Sequence, residues 1–247
     1  MTESPEGAAN QCIFVAIEKL SVMQLTYYGQ SCFAVEMGGR RVLFDPFITP
    51  NPLAGHIRLE DIRADYILLS HGHADHTADC VTLAKQTGAT VVGAFEVATW
   101  IAQQGVEKYH PMNTGGKWTF DFGTVKCTNA VHSSAMPDGS YGANPMGFLV
   151  TGERNFYYSG DTALTMDMQL IPRWAQIEFA VLPIGDNFTM GYEDAIIAAE
   201  LIQCRNIVGV HYDTFGYIKI DHDTVKKAFA DAGLNLFLPA IGESIQL

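Results

Sequence analysis

Alternation of apolar and polar positions with a period of two marks the first interpretable stretch of the chain. Met23–Tyr28, Ser31–Met37 and Arg40–Asp45 are short β-rich runs separated by Gly29-Gln30 and Gly38-Gly39, a pattern that predicts an antiparallel hairpin meander. A loop with Pro46, Pro50 and Pro52 follows, and Asp65–Ser70 then reads as a buried strand running straight into His71-Gly72-His73-Ala74-Asp75-His76. Helical spacing of Cys80, Leu83 and Ala84, a strand at Thr90–Gly93 and a helix at Glu96–Gln104 extend this into a βαβα stretch. Four more β-rich runs come next, at Lys117–Asp121, Thr124–Val131, Met146–Thr151 and Asn155–Ser159. The last third alternates strands at Phe179–Pro183, Asn206–Val210 and near Leu236 with helices at Tyr192–Gln203 and Asp223–Ala232.

A meander followed by α/β alternation therefore occurs twice. Two such halves bury their sheets best against each other, which predicts an α/β protein of the α+β kind, a four-layer αββα sandwich of two mixed sheets with outer helices. Residues 1–22 lack periodicity and are expected to be a tail or extended start, leaving 23–247 as a single domain.

Composition narrows the function classes. The 247 residues are 48% hydrophobic and 17% charged, enough apolar material for a sizeable core. Fifteen basic against 27 acidic residues leave a net charge of -12, which repels phosphate backbones and argues against a nucleic-acid partner. The 5 cysteines are scattered without a C-x-x-C pair, unlike a disulfide framework or zinc knuckle, so a reducing cytoplasmic setting is expected. The apolar run Cys12–Ile17 is too short for a membrane span and follows Glu3 and Glu6 rather than basic residues, so neither a signal peptide nor a membrane partner is expected.

The candidate chemistry lies in His71, His73, Asp75 and His76. On an extended segment leaving a strand, His71 and His73 point the same way and can reach one ion, while Asp75 and His76 project from the next bend and can hold a second. His132, Asp161 and His211 each follow a predicted strand and add one ligand apiece. Five imidazoles and two carboxylates suit two first-row ions with room for water, whereas a structural site would be closed and usually cysteine-rich.

Taken together these residues resemble the metallo-β-lactamase-fold hydrolases, and more narrowly the small metal-dependent branch related to ascorbate-6-phosphate lactonase. The resemblance runs through Tyr28-Gly29-Gln30-Ser31-Cys32-Phe33, Phe44-Asp45-Pro46-Phe47, the histidine motif, His132-Ser133-Ser134, Ser159-Gly160-Asp161-Thr162, Gly185-Asp186-Asn187 and His211-Tyr212-Asp213. It implies that His71, His73 and His132 hold one metal, that Asp75, His76 and His211 hold the other, and that Asp161 bridges them. Gln30 departs from the family pattern, where a histidine is common.

The expected activity is binuclear, metal-dependent hydrolysis, in which water between two divalent ions attacks an ester, lactone or phosphoester bond of a small metabolite, an anionic group on it being tolerable at the metals but not required. Asp75 is a candidate catalytic group in addition to its role as ligand, and Asp45 and Asn187 are candidates for supporting a ligand or lining the pocket. Zinc comes first among the metals, with manganese, nickel or iron also suited to these donors. An iron-dependent oxidoreductase on the same fold is the alternative, and a homo-oligomer is implied by analogy with the relatives. His110 is expected in a turn, His56 in an exposed or gating loop, His222 at a helix start, and Cys80 as a small buried helix residue.

Overall fold

Gly38 and Gly39, at φ 57° and 69°, form the two-residue turn that brings strand β2 (Cys32–Met37) back along β3 (Arg40–Phe44). Left-handed backbone at both positions matches the right-handed twist of the flanking strands, which is why two glycines stand there. Strand β1 (Gln24–Gly29) pairs antiparallel with β2 to complete the expected meander. The computed structural model describes residues 23–247; the expected N-terminal tail, 1–22, lies outside the described residues.

Beyond β3 the first sheet turns parallel, through β4 (Tyr66–Leu68), β5 (Thr90–Ala94) and β6 (Tyr109–Met112). The second sheet is antiparallel through β7 (Lys117–Phe120), β8 (Gly123–Asn129), β9 (Met146–Thr151) and β10 (Phe156–Tyr158). It then becomes parallel through β11 (Phe179–Pro183), β12 (Asn206–Val210) and β13 (Asn235–Phe237). With β14 (Ser244–Gln246) on the free edge of β1, each sheet has seven strands, in the orders β14-β1-β2-β3-β4-β5-β6 and β13-β12-β11-β10-β9-β8-β7.

The sheets meet face to face. Phe33 and Phe44 of the first contact Tyr158 and Phe156 of the second, with ring centroids 5.1 Å apart for Phe33–Tyr158 and 5.9 Å for Phe44–Phe156, both edge-on. Helices α1 (Ala74–Thr77), α2 (Cys80–Thr87) and α3 (Phe95–Gln103) follow β4 and β5, and Leu83, Val97 and Ile101 join the core on that side. On the other side, beyond the short α4 (Ile171–Trp174), α5 (Tyr192–Leu201) and α6 (His222–Asp231) bury Ala195, Ala198, Val225 and Phe229 with Leu182 and Ile207 of the second sheet. This is the four-layer sandwich.

Two strands escape the hydrophobic pattern. Pro111 makes β6 read as a loop, yet β6 is an edge strand, where proline's missing N–H costs no ladder bond. His110 therefore lies on a strand rather than in the expected turn, its ring 4.9 Å from Trp118. The other is β14, three residues long and paired on one side only. Among the described residues, no helix is long and apolar enough to cross a membrane.

The strand directions decide where function can sit. Strands β3 and β4 run parallel in the first sheet, and β8, β10 and β12 share one direction in the second. Their C-terminal ends therefore open onto a common rim, where Asp45, just past β3, accepts a hydrogen bond from the Tyr158 hydroxyl of β10 at 2.6 Å.

Candidate metal centre

Strand β4 delivers His71 and His73 to this rim, and the first turn of α1 adds Asp75 and His76. The second sheet supplies His132 after β8, Asp161 after β10 and His211 after β12. These seven side chains fall into two groups, His71/His73/His132 and Asp75/His76/Asp161/His211, each with one donor atom per residue lying within 4.8 Å of the others. In the first, His71 Nε2 lies 2.9 Å from His73 Nδ1. In the second, Asp161 Oδ2 lies 3.0 Å from His211 Nε2 and 3.1 Å from His76 Nε2. The same oxygen is 3.8 Å from His132 Nε2, so Asp161 faces both groups.

Hydrogen bonding behind the site orients its imidazoles. Asp45, fully buried, accepts from the Ser70 N–H at 2.7 Å, the Ser70 hydroxyl at 2.6 Å, the Tyr158 hydroxyl and His76 Nδ1 at 2.8 Å. A carboxylate only accepts, so His76 carries its hydrogen on Nδ1 there and turns Nε2 toward Asp161. Ser70 spends its one hydroxyl hydrogen on Asp45 and can only accept from His71 Nδ1, 3.0 Å away. His71 Nε2 is thereby left as a free lone pair facing His73.

The electrostatics fit a cation. Burial pushes the His71 imidazole well below its usual pKa, and burial likewise lowers His73 and His132, keeping these three neutral and able to ligate. In the second group burial would raise Asp161, but His211 and His76 outweigh it and hold the carboxyl well below its usual range. Burial opposes charge on His211 as well, yet Asp161 pushes it up to about 9. Asp161 Oδ1 is buried without a hydrogen-bond partner, as is His211 Nδ1, and an unpaired buried carboxylate oxygen among imidazoles is a position suited to a divalent ion.

Sequence reasoning left Gln30 without a role. Its amide Nε2 donates to Asp75 Oδ2 at 3.0 Å, and its backbone carbonyl accepts the His211 N–H at 2.9 Å and the Tyr27 hydroxyl at 3.1 Å. Flipping the amide would set its oxygen against the carboxylate, so the donor orientation follows from charge. Gln30 adopts φ 54°, a left-handed conformation shared by Asp45 at 43° and His211 at 56°. Strain of this kind at non-glycine residues is characteristic of sites that other contacts hold in place.

Gly185 supports His211 sterically. A Cβ at this position would stand 2.1 Å from the His211 carbonyl oxygen, which is backbone and cannot swing aside. Gly185→Ala is therefore expected to displace His211 and weaken metal binding by about tenfold or more, read by competition with a chromophoric chelator. Unchanged affinity would show that His211 tolerates the shift.

The remaining candidates lie elsewhere. Asn187 is exposed, on a left-handed turn at φ 56°, and the neighbouring Phe188 lines the cavity instead. His56 bonds the Ile241 carbonyl at 3.0 Å from an exposed position. His222 opens α6 and reaches Asp213 at 2.7 Å. Cys80 is buried in the core with its thiol pKa raised by burial, outside both groups.

Residues 40–212 match the model of the beta-lactamase superfamily domain. A UPF0173 metal-dependent hydrolase of Christiangramia forsetii is 55% identical over 227 residues, which is 91% of this chain and 100% of that protein. One from Flavobacterium johnsoniae is 53% identical over 226 residues, with the same coverage of 91% and 100%. Among solved structures, a metallo hydrolase from the hyperthermophilic archaeon Ignicoccus hospitalis superposes with a TM-score of 0.83 at 31% identity, covering 92% of this chain and 99% of its own.

Proposed function

The chain belongs to the beta-lactamase superfamily and, within it, to the metal-dependent hydrolases, and from this premise we propose a binuclear hydrolase acting on an ester, lactone or phosphoester bond of a small molecule. The observation that supports this reading is Asp161, whose Oδ2 faces His132 on one side and His76 and His211 on the other while Oδ1 is buried and unpaired. In this assignment His71, His73 and His132 hold one ion, Asp75, His76 and His211 the second, and Asp161 lies between. Two divalent ions there, zinc foremost, would supply Lewis acidity toward the scissile carbonyl or phosphoryl oxygen and acidify water near neutral pH.

The chain's own contributions follow from its hydrogen bonds. Asp45 and Ser70 hold His76 and His71 in the tautomers that aim Nε2 at the site. Asp75 opens onto the cavity, 23% exposed, with Gln30 restraining the oxygen that approaches His76 and His211. That places it to hold the proton of the attacking nucleophile, a role secondary to ligation because one pair of oxygens cannot serve both freely. His73, rather than a carboxylate, gives the first group three imidazoles and favours hydrolysis over iron-dependent oxidation.

The test is elemental analysis of protein purified without chelator, together with turnover on lactone, phosphodiester and thioester substrates. About two equivalents of zinc or manganese with hydrolysis are expected. Iron accompanied by oxygen uptake would displace this reading.

A further inference from the structure

The cavity at the candidate ligands has a volume of about 890 Å³ and is lined by His73, Asp75, His132, Asp161 and His211 together with four aromatic residues, Phe47, Phe188, Phe215 and Tyr217. Among the described residues, no lysine or arginine lines it. Phe47 and Phe215 lie 6.2 Å apart at a tilt of 49°, while Phe188 and Tyr217 meet edge-on at 6.1 Å and are 49% and 78% exposed. Two large rings left this open beside the cavity form an apolar surface that, among the described residues, only the two rings themselves cover, and an apolar ligand would cover the rest.

The Tyr217 ring stands on a turn that follows His211, and the Phe188 ring on a loop after β11 that is tied to the residue next to Asp161. The Phe188 loop is closed by the Gly185–Gly191 bridge and tied down by the Met190 N–H, which donates at 2.9 Å to the carbonyl of Thr162, next to Asp161. Its turn places Asp186 and Asn187 at φ 62° and 56°. Tyr217 follows His211 on a short turn where Asp213, at φ 64°, donates its N–H to the Ile218 carbonyl at 2.8 Å. Three strained non-glycine residues thus hold exposed aromatic rings at the mouth of the site, an expense that burial within the protein does not return.

We propose that Phe188 and Tyr217 determine specificity, selecting substrates whose hydrolysable bond carries an uncharged aryl or alkyl group rather than a phosphate or carboxylate. A charged group against these rings would leave water for an aromatic wall that, among the described residues, carries no lysine or arginine, in a chain of net charge -12. The proposal rests on the hydrolytic reading only for the position of the reacting bond.

The experiment has two arms. In the first, zinc-loaded protein is titrated calorimetrically with acetate, phenylacetate and succinate, which share a carboxylate and differ in what it carries. Phenylacetate is expected to bind about tenfold or more tighter than either of the others, and the Phe188→Ala/Tyr217→Ala double variant to shrink that preference to about threefold or less. In the second, kcat/KM is compared for γ-butyrolactone and its γ-phenyl and γ-carboxy derivatives, with the phenyl compound expected to lead and to lose its lead in the double variant. Equal or absent binding of phenylacetate, preference for the doubly charged ligand, or a preference that survives in the double variant would overturn the proposal. A phenylacetate preference that the double variant loses, in a protein that hydrolyses nothing, would sink the hydrolytic reading and leave this assignment standing.

Discussion

Asp161→Ala is expected to lower hydrolysis by about a thousandfold or more and to reduce bound metal from about two equivalents to one or fewer. The reason is geometric. One carboxylate oxygen lies 3.0 Å from His211 Nε2, 3.1 Å from His76 Nε2 and 3.8 Å from His132 Nε2, so its loss affects both ligand groups at once. The metal-free protein offers an independent reading. There burial opposes a charged His211, but Asp161 outweighs it and pushes the pKa up to about 9. A raised imidazole pKa contributes stability that is fully present below the unfolded value of about 6.5 and is lost as pH rises through about 9. Thermal denaturation of chelated protein should therefore show a melting temperature that falls across this window, and the fall should flatten in Asp161→Ala. An Asp161→Ala protein that keeps two metal equivalents would remove Asp161 from the assignment.

Asp45→Ala is expected to cost the fold about 3–5 kcal/mol and to weaken metal binding by about 10- to 100-fold. Asp45 is fully buried and satisfies four donors, on the Ser70 backbone, the Ser70 hydroxyl, the Tyr158 hydroxyl and His76 Nδ1. Removing it leaves all four in a space that water does not reach, and frees His76 to adopt the tautomer that turns a hydrogen toward the metal. Asp45→Asn separates the two effects, since it keeps the volume but points an amide donor at other donors. Chelator competition reads the affinity and denaturant titration the stability. Wild-type affinity in both variants would mean that His76 is oriented without Asp45.

These two carboxylates differ in how visible they are along the chain. Asp161 announces itself by position, in a small-residue turn just past a β-rich run, and the H-x-H-x-D-H segment does so by local spacing. The sites of His132 and His211 follow from the same rule that strand ends collect function, as does the setting of Asp45. Its contacts do not follow: Tyr158 is 113 residues away and Ser70 is 25, and neither separation carries a pattern. Gln30 reads as a missing histidine, yet its amide is bonded to Asp75 from 45 residues away. Phe188 and Tyr217 would pass for ordinary apolar residues, and Asn187 looks the better pocket candidate, yet on its left-handed turn it is exposed while Phe188 lines the cavity.

The amino-acid order alone determines the alternating strands, the amphipathic helices, the doubled meander-then-α/β plan and the dense histidine motif. All of these are set by side-chain periods of two or 3.6 residues and by neighbours a few positions apart. Tertiary structure alone decides which strand ends share a rim, which donors converge on Asp45, and which rings wall the cavity. Those outcomes depend on sheet order and on left-handed backbone at Gln30, Asp45 and His211, conformations that no residue there prefers and that occur where hydrogen bonds between distant segments meet, His211 N–H on the Gln30 carbonyl and four donors on Asp45.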